Sequence, residues 1–238
     1  MNLLKFVAGN NINLAIMKSS QILSSHKKPI LNYIVEDHKN KLEVYQEYKK
    51  INQYLDSRYK IALKLSSFDF DYPLLSDLIS KYSENNIKVL IDAESSENHQ
   101  KYMEISNCLI EDFNQTEVHI YKTYQMYRKD SYQNLLQDIE YFKDQNIHLG
   151  TKLVRGAYHN SERYLGQLYS DKTETDVNYN QAILLTYDQD IPTILATHNN
   201  ESINLGVLLN KYAISQEKKY QFSFAHLLDM NNQKYDSI

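Results

Sequence analysis

A chain of 238 residues, 42% hydrophobic and 24% charged, has the composition of a globular protein and the size to bury a core without disulfides. Its single cysteine, Cys108, excludes an internal disulfide and any cysteine-based zinc site. A formal net charge of -4, with only short basic runs such as Lys49-Lys50 and Lys218-Lys219, argues against nucleic acid as a partner. No apolar run approaches the length of about 18 residues that a membrane span needs, which leaves peripheral association as the only membrane role. The five glycines, Gly9, Gly150, Gly156, Gly166 and Gly206, cannot be arranged into a G-x-G-x-x-G fingerprint or a phosphate-cradling P-loop.

Seven short apolar runs read as strands: Ile30–Glu36, Tyr59–Leu65, Ile87–Asp92, Glu117–Lys122, Gly150–Arg155, Pro192–Ala196 and Tyr220–Phe224. Stripes of helical spacing lie between them: Val44, Tyr48, Ile51 and Leu55; Leu75, Leu78, Ile79 and Tyr82; Leu135, Ile139 and Phe142. Asp71 ahead of Pro73, and Asp130 ahead of the third stripe, mark helix starts. Strands alternating with single helices predict parallel βαβ units, in either a doubly wound sheet or a (β/α)8 barrel. Strand starts about every 30 residues suit an eight-unit barrel of roughly 250 residues, but only seven units fit. The expectation is an α/β chain forming one domain over residues 1–238: a TIM-type barrel lacking its eighth strand and helix, and so incomplete at the C-terminal end.

In such folds ligands gather at the carboxyl ends of the strands. Five of the runs end there in polar groups: Lys64, Asp92, Gln125, Lys152 with Arg155, and Thr197-His198-Asn199. Each alone reads as a solvated strand end or a helix cap; five together point to a shared pocket. His119 reads as a packing residue, and without an H-E-x-x-H-like spacing no metal site is expected. Tyrosine is abundant, 21 residues, but only Tyr158 stands in a distinctive string.

That string is Lys152-Leu-Val-Arg-Gly-Ala-Tyr158 with Ser161-Glu162, followed by Lys172, Thr175-Asp176-Val-Asn-Tyr-Asn180 and Ala196-Thr-His-Asn199. The ordered set resembles the proline dehydrogenase family of flavoenzymes. The likeness extends to Phe6-Val-Ala-Gly9 upstream and Phe224-Ala-His-Leu-Leu-Asp-Met230 downstream. The resemblance implies a distorted (β/α)8 barrel that binds FAD and oxidises L-proline to Δ1-pyrroline-5-carboxylate, passing electrons to a quinone. It also implies proline catabolism in the mitochondrion, although the chain starts with no recognisable presequence.

Carried over by position, Lys152 lies beside flavin N5, with Val154, Arg155, Gly156 and Ala157 holding the cofactor. Gln125 contacts the isoalloxazine edge, Ala93 makes a backbone contact, and Thr197, His198 and Asn199 reach the rest of the dinucleotide. By the same resemblance Asp92 corresponds to the family's strand-end acid required for activity, Lys64 to the lysine that helps neutralise the proline carboxylate, and Tyr158 is expected to join it on the substrate. The chain departs from the family in three ways: no Arg-Arg-x-x-Glu-Asn string is present, Asp229 stands for a glycine, and His226 for a glutamine. Paired arginines give bidentate bonds that a lone ammonium cannot. The alternative reading is therefore a truncated, non-catalytic relative that binds flavin or a partner.

Overall fold

The computed structural model describes residues 8–9, 11–33 and 40–228; Phe6, Val7, residues 34–36 of the first candidate strand, Asp229 and Met230 lie outside them. The chain divides into two compact units, Met1–Tyr121 and Lys122–Ile238.

In the first unit helix α1 (Ile12–Ser24) precedes strand β1 (Ile30–Asn32). Helix α2 (Lys41–Asn52), strand β2 (Lys60–Leu63), a 3-10 turn (Leu65–Phe68), helix α3 (Tyr72–Glu84), strand β3 (Lys88–Ile91) and helix α4 (His99–Phe113) follow. Strand β4 (Ile120–Gln125) crosses into the second unit. Strands β1, β2 and β3 pair in parallel, with Ile30 opposite Lys60 and Lys60 opposite Lys88. The α3 stripe of Leu75, Leu78, Ile79 and Tyr82 is fully buried. Asp71 caps that helix as its sequence signals, its carboxylate accepting from the Leu74 N–H at 3.1 Å with Pro73 in the first turn.

The second unit continues with helix α5 (Ser131–Asp144), strand β5 (Gly150–Val154), the short helix α6 (His159–Glu162) and helix α7 (Lys172–Asp188). Strand β6 (Thr193–Ala196), helix α8 (Asn200–Ser215) and strand β7 (Ser223–Ala225) complete it. Strands β5, β6 and β7 pair in parallel, aligning Leu153 with Leu195 and Leu195 with Phe224. Helix α8 lies close over that row because Gly206 has no side chain; a Cβ there would stand 2.6 Å from Leu195. The strand order is β1 to β7 in sequence, that of a (β/α)8-type barrel with seven of its eight strands among the described residues.

Two expected strand starts are corrected. Strand β4 begins three residues later than the Glu117–Lys122 run, because the Asn114 amide takes the N–H groups of His119 and Ile120 and donates to the Ile120 carbonyl. Strand β7 likewise starts at Ser223 rather than Tyr220: Asp190 accepts from the Lys219 and Tyr220 N–H groups, and Asn210 holds both backbone groups of Phe222. In both places side chains satisfy backbone groups that the apolar pattern assigns to a ladder. Asp130 stands at the N-cap of α5 as its sequence signals, although its carboxylate faces the Arg128 guanidinium at 2.9 and 3.0 Å and makes no side-chain capping bond.

Candidate functional site

In the first unit the residues after β2 and β3 form one group. The register sets Leu63 opposite Ile91, so Lys64 and Asp92 leave adjacent strands side by side, and the Asp92 N–H bonds to the Leu63 carbonyl at 2.8 Å. Asn32, at the end of β1, donates its amide to the Asp92 carboxylate at 3.2 Å. Ala93 follows, half-buried, and then Glu94, whose carboxylate is 1% exposed and accepts from the Ser66 N–H at 2.9 Å and the Ser66 hydroxyl at 3.1 Å. Lys64 Nζ stands 4.0 Å from it.

In the second unit the alternation of strand side chains sorts residues onto two faces. Lys122 and Tyr124 on β4 point to α5, where both reach one oxygen of Asp138, at 2.7 and 2.6 Å. Burial pushes the Lys122 ammonium below its ordinary pKa, and the Asp138 charge opposes that shift. Gln125 therefore faces away from α5, and its side-chain oxygen accepts the Ala157 N–H at 3.2 Å. On β5, Thr151 and Leu153 are buried, whereas Lys152 and Val154 stand half-buried on the opposite face. The register with β6 and β7 sets Ala196 beside Ala225, on the face that Lys152 and Val154 share.

Beyond β5 the chain turns at Gly156, whose φ of +141° suits glycine and whose Cβ position would lie 2.2 Å from the Tyr127 ring. The Tyr127 hydroxyl donates to the buried Glu162 at 2.8 Å; burial first, and that bond second, push its pKa well up. The smallness of Gly156 thus serves the Tyr127 ring beneath it, while the backbone of Gly156 and Ala157 stays exposed above. Tyr158 follows, and its carbonyl accepts from the N–H groups of Ser161 and Glu162, starting α6.

Arg155 is the hub of the second cluster. Its guanidinium donates to Asp176 at 2.6 Å, to the Thr197 hydroxyl, and to the Ser202 hydroxyl at 3.0 Å, and lies 4.4 Å over the Tyr179 ring. Asn199 caps α8 through the Ser202 N–H, its own N–H bonds to Thr197 at 3.1 Å, and its amide reaches Asp176 at 3.4 Å. Burial would raise the Asp176 pKa, but hydrogen bonds from Lys172 and Arg155 outweigh it and hold the carboxyl below the usual range. His198 packs edge-on to His226 with ring centroids 6.4 Å apart.

The structure therefore brings Lys64, Asp92 and Ala93 together in one unit. In the other it joins Gln125 to Ala157, places Lys152 with Val154, and ties Arg155 to Thr197 and Asn199. Glu94, Asn32, Tyr127 and the Lys122–Asp138 pair were not singled out in the sequence. Only Glu94 carries a local signal, the second acid in Asp92-Ala-Glu94, three residues beyond the end of β3. Among the described residues no cluster of His, Cys, Asp or Glu is arranged to hold a metal. The donor set fits a flavin: a half-buried ammonium, an amide joined to a backbone N–H, exposed Gly-Ala backbone, and small Val and Ala side chains that leave room for a flat ring.

Comparison with known proteins bears on the family and the fold. A hydroxyproline dehydrogenase of Xenopus laevis is 30% identical over 54% of this chain and 30% of its own length. The mitochondrial proline dehydrogenase 1 of Drosophila melanogaster is 26% identical over 66% of this chain and 26% of its own. The chain thus spans less than a third of either relative. The crystal structure of proline utilization A from Bdellovibrio bacteriovorus, inactivated by N-propargylglycine, superposes on 98% of this chain and 29% of that one, with a TM-score of 0.86 at 16% identity, and shows the fold. The family model described as proline dehydrogenase matches residues 15–238. By that match, over most of its length, this chain belongs to the proline dehydrogenase family.

Proposed function

We propose that this chain takes part in the flavin-dependent oxidation of L-proline to Δ1-pyrroline-5-carboxylate, with FAD as cofactor and a quinone as electron acceptor. The observation that carries the reading is the cluster after β5, where Lys152, the Gln125–Ala157 bond and the exposed Gly156 backbone match the donor needs of a flavin. When bound, the flavin supplies the two-electron acceptor for hydride removal from the carbon beside the ring nitrogen.

The residues of the chain do the rest. Lys152 places a positive charge where negative charge develops during reduction, an interaction strengthened where water is scarce. Gln125 fixes the Ala157 backbone against the ring, and Arg155 holds Thr197 and Asn199 in place for the dinucleotide beyond it. In the first unit Asp92, oriented by Asn32, is suited to order the hydrogen bonds around a substrate, and Lys64 beside it supplies a cation for the substrate carboxylate. A quinone acceptor implies contact with a membrane surface, and mitochondrial relatives support that compartment.

Lys152→Ala tests the assignment. Proline-driven flavin reduction is expected to slow by about 100-fold or more, the scale seen when one charge-stabilising group is removed. Stopped-flow absorbance reads it, and an unaltered rate removes Lys152 from the site.

A further inference from the structure

Glu94 is a carboxylate that nothing in the strand pattern requires. It is 1% exposed, and a buried charge is tolerated only where it is paired and hydrogen-bonded. It accepts two short bonds from Ser66, the second residue of the 3-10 turn that β2 runs into. Lys64, the residue before that turn, has no side-chain capping bond of its own, so the Ser66 N–H is satisfied from the neighbouring strand end. The turn closes tightly: Asp69 and Phe70 follow with φ of +53° and +57°, conformations that persist only where surrounding contacts enforce them.

We propose that Glu94 is a positioning residue for Lys64: by holding Ser66 it fixes the backbone from which the Lys64 ammonium is presented to the carboxylate of an amino-acid substrate. The inference rests on the proposed function, which gives Lys64 its carboxylate. The Ser66 bonds are 2.9 and 3.1 Å, whereas the Lys64 ammonium is 4.0 Å away, so the hydrogen bonds set the geometry and the charge pair is secondary. A glutamine, whose side-chain oxygen still accepts the Ser66 N–H, is therefore expected to substitute for Glu94, and alanine is not.

The experiment uses the full flavin-loaded chain with L-proline as the probe. Glu94→Ala is expected to raise KM about tenfold while kcat and flavin content stay within about twofold, the result of a displaced binding group rather than a lost reacting one. Glu94→Gln is expected to stay within about threefold of the parent in KM, and in a Lys64→Met background Glu94→Ala is expected to add nothing further. Hydrogen exchange at the Ser66 amide is expected to accelerate in Glu94→Ala and not in Glu94→Gln. An unchanged KM in Glu94→Ala, or full additivity with Lys64→Met, overturns the positioning role. A parent chain whose bound flavin ignores L-proline overturns the proposed function instead, and with it the substrate role of Lys64. Should Glu94→Ala not fold, Ser66→Ala keeps the comparison: it removes one of the two bonds and is expected to raise KM by about two- to threefold without changing kcat, and an unmoved KM overturns the role.

Discussion

Lys122→Met is expected to destabilise the second unit by about 3–5 kcal/mol, because it strands the Asp138 carboxylate between β4 and α5 without its cation. Lys122 is 0% exposed and Asp138 6%, so no water replaces the lost ammonium, and the Tyr124 hydroxyl, which donates to the same oxygen, carries no charge to balance it. The pair is a poor source of net stability for the same reason. The double variant Lys122→Met/Asp138→Leu is expected to recover most of the loss, falling short by the unmatched Tyr124 hydroxyl, about 1–3 kcal/mol. Urea unfolding followed by circular dichroism measures both. A single variant with an unshifted midpoint shows that the pair is not buried as described.

Gly156→Ala has the second largest expected effect, roughly 2–5 kcal/mol from backbone strain together with overpacking. The added Cβ would meet Cδ1 and Cε1 of the Tyr127 ring at 2.2 Å, and the φ of +141° is one that alanine rarely adopts. The ring is not free to yield, since its hydroxyl is held by Glu162 beneath. Relief has to come from the backbone, which would draw the Ala157 N–H away from Gln125. A lower melting temperature accompanied by a lower ratio of bound flavin to protein is therefore the expected outcome. An unchanged melting temperature contradicts the packing described for Tyr127.

The strand ends were legible because period-2 alternation and short apolar runs determine where a β-strand stops facing a helix. Lys64 and Asp92 could be picked out on that ground alone, whereas Lys152, read as part of a strand end, stands in the middle of β5. Helix α3 was legible for the same kind of reason: its stripe, its Asp71 cap and Pro73 all agree. The starts of β4 and β7 were not, because Asn114, Asp190 and Asn210 bind backbone groups from five to thirty residues away, and no local pattern announces such a bond. Gly156 reads in sequence as room for a ring above it; its contact with Tyr127 below depends on a residue 29 positions earlier. Arg155 shows the same limit: its string marks it as a candidate, yet its partners Asp176, Thr197 and Ser202 lie on α7, in the loop after β6 and on α8.

An anaerobic titration with L-proline decides whether the cluster after β5 serves the chemistry assigned to it. The purified chain, loaded with FAD, is expected to carry an oxidised flavin spectrum that bleaches in proportion to added L-proline, with Δ1-pyrroline-5-carboxylate appearing in step. Protein that retains no flavin, or flavin that stays yellow under saturating L-proline, contradicts the assignment.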